Sequence, residues 1–358
     1  MEVYVCSHCG LVQSFSTIAY QSRPPGSMSA DADRSSYRYT KDVISDRYDE
    51  CFAQCVDFTK IGRVLDVGSN RGAFVKHVEA NFPGKQITCV EPDATITGAY
   101  FTLPNVSVQE CRFEHAQLPE NHFDFAYCAH TLEHADSARE MLLGIRRALK
   151  PGGLLFVAVP NLVFHDDIIE ELFIDPHTFH FNFFLLRDFA AQMGFSVEYA
   201  GKPKEADLVL LLKKQEADVA QLKFIPVDQA LAQEAKKEIA YYKENILRNR
   251  AALKDSVERL NEAAATHKIV IWGGGRIFDA MIRFGSLDLT KIYMVVDKFL
   301  SRYVEQLHGC RLDSPDALKN EDPDELLVYI ASRNYADEIQ AEASALGITH
   351  FIQFGKNT

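Results

Sequence analysis

The chain has 358 residues, 47% hydrophobic and 25% charged, the composition of a folded protein with room for two or three cores. A formal net charge of −12, with no long basic run, argues against a nucleic-acid backbone as partner. No apolar run is long enough for a bilayer, and the first residues lack a signal peptide's basic start and apolar stretch, so no membrane partner and a cytoplasmic location are expected.

Eight cysteines at irregular spacing read as free thiols in a reducing compartment. Cys89, Cys128 and Cys310 fall in or beside apolar, strand-like segments. In residues 1–20, Cys6 and Cys9 form a C-x-x-C knuckle, half of the four ligands that a closed zinc site needs. No second C-x-x-C follows, Cys51 and Cys55 lie in a helical-looking segment, and His8 sits inside the knuckle. A knuckle that holds no metal is the expectation. Residues 21–41, broken by Pro24-Pro25-Gly26, read as a linker or a lid. Asp42 to Phe58 has helical spacing and opens an α/β domain expected to span 42–214.

Val64-Leu65-Asp66-Val67 reads as an apolar strand. Gly68-Ser69-Asn70-Arg71-Gly72 is a turn, and Ala73-Phe74 starts a helix. Glycine at Gly68 and Gly72 admits close approach of the backbone to a ligand. In an open α/β sheet that ligand sits at the carboxyl ends of the strands. Ile87-Thr88-Cys89-Val90 is the next strand and ends in Glu91, near the roughly 20-residue spacing of a ribose-binding acid. The dinucleotide fingerprint fails, because Asn70 and Ala73 stand where it needs glycine. Asp66, so near the turn, disfavours a pyrophosphate and favours a cation such as S-adenosylmethionine.

Val106-Ser107-Val108 is a third strand, and Phe123 to Cys128 a fourth, followed by Ala129-His130-Thr131-Leu132-Glu133-His134. In a helix His130 and His134 would share a face. A helix over Arg139–Lys150 is stopped by Pro151-Gly152-Gly153, and Leu154–Val159 is a fifth strand. Between Leu162 and Phe189, His165, Asp166, Asp167, Asp175, His177 and His180 alternate with Phe179, Phe181, Phe183 and Phe184. Either this is a dry pocket with groups that move protons near neutral pH, or an aromatic core with histidines at helix ends. Gly194–Val197 and Leu208–Leu212 close the sheet as an antiparallel pair. Residues 215–266 form a helical linker. From 267 a second, smaller α/β domain begins: strand Ile269–Trp272, turn Gly273-Gly274-Gly275, a helix from Arg276 to Phe284, strand Ile292–Val296 ending in Asp297, then strands Leu326–Ile330 and Phe351–Phe354. Phe278 excludes a dinucleotide there, but three glycines in a row suggest that something approaches them.

The cofactor turn resembles that of the class I S-adenosylmethionine-dependent methyltransferases. The run from Phe123 to Asn161, with Leu132-Glu133-His134, is similar to the second half of their core. The resemblance implies a Rossmann-like, mostly parallel sheet with a closing antiparallel strand. It also implies S-adenosylmethionine held by Asp66, Gly68, Ser69 and Gly72 at its methionine part and by Glu91 and Pro92 at the ribose. Phe113 and Glu114 would flank the adenine, with Ala129 and His130 at the strand edge. Over most of its length the chain resembles the sugar C-methyltransferases of deoxysugar biosynthesis. In those, a four-cysteine zinc module precedes the core, and a C-terminal domain helps to hold a nucleotide-linked sugar. His180 matches the histidine of their Glu-His pair, but Phe179 replaces the glutamate and Phe183 the tyrosine. The implied activity is methyl transfer to a sugar, at carbon or oxygen, with His180, His177 and then His134 as proton-handling candidates. A methyltransferase for another small metabolite, and a binding protein that has lost its chemistry, are the alternatives.

Overall fold

The computed structural model describes residues 2–15, 44, 46–93, 100, 102–163, 172–173, 177–216, 229–302, 304–332 and 335–353. The segment expected to be a linker or lid lies outside the described residues, as do His165, Asp166, Asp167, Asp175 and Phe354. The described residues fall into two compact units, the first ending at Tyr242 and the second beginning at Lys243.

The first unit opens with a hairpin, β1 (Glu2–Val5) and β2 (Val12–Phe15). Then come α1 (Asp46–Cys55), β3 (Arg63–Val67), α2 (Ala73–Asn81), β4 (Gln86–Val90), β5 (Val106–Gln109) and β6 (Phe123–Ala129). They are followed by α3 (Ala138–Ala148), β7 (Leu149–Pro160), β8 (Phe179–His180), α4 (Phe183–Gln192), β9 (Phe195–Ala200) and β10 (Asp207–Lys214). The main sheet has seven strands in the order β5-β4-β3-β6-β7-β10-β9. All pairs are parallel except those of β10, which runs against both neighbours. The chain steps from β3 outward to β4 and β5, then returns to the other side of β3 as β6. That reversal makes the carboxyl ends of β3 and β6 the switch point where a doubly wound sheet opens a ligand crevice.

Both faces of the sheet are covered, which is why its strands read as near-continuous apolar runs. Leu65, Val67, Leu155 and Val157 pack with Met141, Leu142 and Ile145 of α3 and Leu185 and Leu186 of α4. On the other face Val64, Phe125, Tyr127 and Phe156 pack with Phe52 of α1 and Phe74, Val75 and Val78 of α2. Strand alternation puts Asp66 on this second face, with Val64, which is how a carboxylate comes to lie in an apolar layer.

Helix α3 ends two residues earlier than its pattern predicts, and β7 begins at once. In the β6–β7 ladder Leu149 lies opposite Phe123 and Leu154 opposite Phe125, so Lys150–Gly153 loop out between them. Gly152 carries the positive φ of 71° that this bulge needs. The N-terminal hairpin is not a separate module. Its β2 pairs antiparallel with β8, Val12 opposite His180 and Gln13 opposite Phe179.

Helix α5 runs from Gln229 to Ala263, and the boundary between the two units falls within it, after Tyr242. Gly10 lies against Leu231, where an added Cβ would come 2.8 Å from the Leu231 carbonyl oxygen. Farther along, Leu253, Val257 and Leu260 belong to the core of the second unit. That unit continues with β11 (Lys268–Trp272), α6 (Arg276–Arg283), β12 (Ile292–Val296), β13 (Gln306–Leu307), β14 (Cys310–Asp313), β15 (Leu326–Ile330), α7 (Ala336–Ala345) and β16 (His350–Gln353). Its six-stranded sheet has the order β13-β14-β12-β11-β15-β16, parallel except for β13–β14. Among the described residues no helix is long and apolar enough to cross a membrane.

The glycine turn of the second unit is explained from within. A Cβ on Gly273 would sit 2.9 Å from the Ala331 carbonyl oxygen, and one on Gly274 2.7 Å from Leu300 Cδ1. Asp297 accepts hydrogen bonds from the backbone N–H groups of Gly274, Phe299 and Leu300 at 3.1, 2.8 and 2.9 Å. Only Gly275 faces open space. The inference that three glycines imply an approaching ligand is therefore corrected: packing alone requires two of them.

Candidate active site

Strand β3 ends at Val67, and the Gly68 N–H still reaches the Val90 carbonyl at 2.8 Å, so the turn leaves the sheet between β3 and β4. Gly68, Asn70 and Gly72 have φ of 72°, 45° and 73°, in the left-handed region that glycine enters without strain. Glu91 ties the turn down. One of its carboxylate oxygens accepts from Asn70 N–H at 2.8 Å and the other from Asp93 N–H at 2.9 Å. Tyr100 donates to the Asn70 carbonyl at 2.6 Å and lies 2.9 Å from Ser69 Oγ.

The two glycines do a different task from the one expected. A Cβ on Gly68 would fall 2.1 Å from Thr131 Oγ1, and one on Gly72 2.3 Å from Tyr100 Cδ1. The space left by their missing side chains is filled by the protein itself. Packing against Thr131 and Tyr100 therefore requires glycine at both positions.

Asp66 is the feature that these contacts do not explain. It is fully buried, and neither carboxylate oxygen has a hydrogen-bond partner. Burial, and then the charge of Glu91, push its pKa well above the usual carboxylate range. A buried polar group left unpartnered costs about 1–3 kcal/mol, and more if charged. The ammonium of a methionine moiety would supply the missing donor. Glu91 keeps a second lone pair on each oxygen for ribose hydroxyls. The residues present thus fit S-adenosylmethionine.

The adenine positions do not fall as expected. Phe113 packs on α3, where a Cβ on Gly144 would meet its Cε1 at 2.8 Å. Glu114 accepts from Asp136 N–H at 3.0 Å and lies 3.5 Å from Arg112 Nε, so its carboxylate is engaged within the fold. Pro92 is half-buried beside Glu91, and Ala129 ends β6, half-buried opposite Ala158.

His130 and His134 do not share a helix face. His130 has φ 53°, and only Leu132–His134 forms a short 3-10 turn. The turn instead drives Glu133 inward to 1% exposure. Around it stand His130, its Nδ1 3.7 Å from Glu133 Oε1, and His134, its Nε2 also at 3.7 Å. His130 therefore belongs to this cluster rather than to the cofactor turn, and its Nε2 lies 3.2 Å from the Tyr48 hydroxyl and 3.7 Å from Asp207. Burial alone would raise the pKa of Glu133, but the approach of His130 and the charges of His134 and His130 outweigh it and hold the carboxyl ionised.

A bond from Thr178 N–H to the Glu133 carbonyl, 2.8 Å, lays the 177–180 segment against this turn. The His134 and His177 rings come to 4.7 Å between centroids. His177 Nδ1 lies 2.9 Å from the Leu172 carbonyl oxygen, which can only accept, so Nδ1 carries the proton and Nε2 the lone pair. Burial, then His134, push its pKa down to about 4.

His180 sits deeper. Ser14 Oγ donates to the His177 carbonyl at 2.6 Å and lies 2.8 Å from His180 Nε2. The serine proton is spent on the carbonyl, so His180 Nε2–H is the donor to Ser14. Its lone pair is then on Nδ1, which is buried without a partner. Burial, and then His177, push its pKa down to about 3. The ranking of His180 as first general base is corrected on geometry: the ring is 1% exposed and its Nε2 is committed to Ser14.

Cys6 and Cys9 lie at the hairpin turn, half-buried, and among the described residues no third His, Cys, Asp or Glu groups with them as a metal ligand. Sequence reasoning missed Ser14, Tyr48, Tyr100, Thr131 and Asp207. Only Thr131 had a cue, as a neighbour of the Leu-Glu-His run.

Residues 37–198 match the family described as a methyltransferase domain. A tRNA U34 carboxymethyltransferase of Campylobacter curvus is 29% identical over 99 residues, 26% of this chain and 33% of that protein. The chain thus spans about a third of the length of that curated relative. Among solved structures, a 1,6-didemethyltoxoflavin-N1-methyltransferase of Burkholderia thailandensis shares 16% identity, covering 60% of this chain and 100% of that one, TM-score 0.41. An S-adenosylmethionine-dependent methyltransferase of Mesorhizobium loti shares 13%, covering 48% and 98%, TM-score 0.40. Residues 37–198 are thus an S-adenosylmethionine-dependent methyltransferase domain, and the strand order of the sheet is that of the class I, Rossmann-like fold.

Proposed function

We propose that the whole chain methylates a hydroxyl of a sugar carried on a nucleotide, using S-adenosylmethionine. The observation that carries the cofactor assignment is the buried, unpartnered carboxylate of Asp66 two residues before the turn that Glu91 anchors. Asp66 and Ser69 would hold the methionine part and Glu91 the ribose. When bound, S-adenosylmethionine supplies an electrophilic methyl group. The chain's own residues place the acceptor oxygen in line with it, exclude water and receive the acceptor's proton.

Two observations favour oxygen over carbon. Phe179 and Phe183 stand where the sugar C-methyltransferases carry glutamate and tyrosine, and His180 is 1% exposed with its Nε2 taken up by Ser14. Proton loss from a hydroxyl is the lighter task, and we place it at the Glu133–His134–His177 cluster. The curated relative acts on tRNA by its name, but the net charge of −12 here favours a small acceptor over a polyanion.

The test is calorimetry with S-adenosylmethionine, followed by mass spectrometry of products from a panel of nucleotide-sugars. A product heavier by one methyl, with the methyl on oxygen, is expected. No binding of S-adenosylmethionine would leave a binding protein without this chemistry, and turnover only of unrelated metabolites would remove the sugar.

A further inference from the structure

We infer that Glu133, His134 and His177 form a binding site for one divalent transition-metal ion, of the zinc or manganese kind. Each offers a ligand atom, and the three atoms lie within 4.8 Å of one another. Neither oxygen of Glu133 accepts a hydrogen bond, although the residue is almost wholly buried. The imidazole nitrogens of His130 and His134 stop 3.7 Å away, too far for a hydrogen bond. A carboxylate kept from water, faced by imidazoles at 3.7 Å but accepting no hydrogen bond, is costly to bury, and a metal ion drawn between these groups would satisfy it. Two ligands at metal-bond lengths of about 2.0–2.2 Å stand roughly 3.3 Å apart around a tetrahedral ion, so small side-chain rotations close the set.

The outer contacts have the form that a metal histidine requires. The bond from His177 Nδ1 to the Leu172 carbonyl fixes the tautomer that leaves Nε2 for the ion. Two imidazoles and one carboxylate suit zinc, manganese or iron(II) and disfavour magnesium and calcium. Three protein ligands leave a position open. Resting on the methyltransferase reading, that position would take the acceptor's oxygen and lower the pKa of its hydroxyl, whose proton would pass to the Glu133 oxygen that is not on the ion.

The experiment starts from the Cys6→Ser/Cys9→Ser protein, so that thiolate binding cannot intrude. The protein is stripped with chelator and titrated with Zn2+ and then Co2+, without S-adenosylmethionine. One ion per chain is expected, with a visible cobalt spectrum of nitrogen and oxygen ligands and no thiolate charge-transfer band. Glu133→Gln and, separately, His177→Ala should weaken the ion by at least ~10-fold. The spectrum of the protein with its cluster intact needs neither variant to fold. No stoichiometric ion in the double-serine protein, or unchanged affinity in His177→Ala, overturns the site. Binding of S-adenosylmethionine, measured apart, can fail or succeed independently of the ion.

Discussion

Replacing Asp66 with asparagine should move stability and cofactor binding in opposite directions. The wild-type carboxyl is fully buried, unpartnered and faced by Glu91. Asparagine keeps its shape and removes its ionisable proton. Asparagine is equally unpartnered there, so without cofactor the variant gains only what the raised pKa costs the wild type, about 1.4 kcal/mol for each pH unit between 3.8 and the folded value. At about 2–4 °C per kcal/mol each such pH unit is worth roughly 3–6 °C in melting temperature. The sign follows from linkage. The folded pKa is raised, so the carboxyl's favourable contribution is complete below its ordinary value of 3.8 and is lost as pH rises through the folded value. The variant's advantage should therefore grow with pH. Binding should weaken, because a charge-assisted bond to the cofactor's ammonium is worth about 1.5–3 kcal/mol, or about 10- to 150-fold in Kd. Thermal melts from pH 5 to 8, with and without S-adenosylmethionine, read both effects. A variant that melts lower at every pH, or that binds the cofactor as tightly as wild type, would refute the assignment of Asp66 to the ligand.

Gly68→Ala should lower the melting temperature by several degrees, since its Cβ would overlap Thr131 and the backbone is left-handed there; the Gly68→Ala/Thr131→Ala pair, melted alongside, should recover part of the loss. Asp124 accepts from Gly62 N–H and Arg63 N–H and pairs with Lys150, contacts that outweigh burial and hold its pKa low. Asp124→Asn should thus cost about 1 kcal/mol at neutral pH, allowing for solvent screening. That difference should fade as pH falls below 3.8 through the folded value, which denaturant titration at several pH values can follow. Ser14→Ala removes the bonds to His177 and His180 together, costing about 1–2 kcal/mol, and amide hydrogen exchange in Val12–Phe15 should rise with it.

Much of the fold was written locally. The β3 run, its glycine turn and Glu91 could be read from Val64 to Glu91 because a buried parallel strand is apolar throughout and the turn needs left-handed residues at fixed places. The antiparallel closing strand, a helix stop near Lys150 and the second α/β pattern from Lys268 were legible for the same reason: hydrophobic period and turn chemistry act over a few residues. Boundaries such as the early end of α3 depended on the bulge that Lys150–Gly153 make against β6.

The site was legible only in part. Asp66 and Glu91 were marked by their spacing to the turn. What the glycines serve was not, because Thr131 and Tyr100, which fill their space, lie 63 and 28 residues away along the chain. Nor could sequence show that β2 would pair with β8, putting Ser14 on His180 and ending that ring's claim as a base. By itself the sequence determined the apolar central strands, the turn after β3 and which acids flank it, since these follow from neighbouring residues, while the short strands β1, β2, β8, β13 and β14 carry no such local pattern. Tertiary structure alone decided that Glu133 turns inward between histidines, because burial and side-chain pairing are properties of packing among segments that the chain keeps far apart.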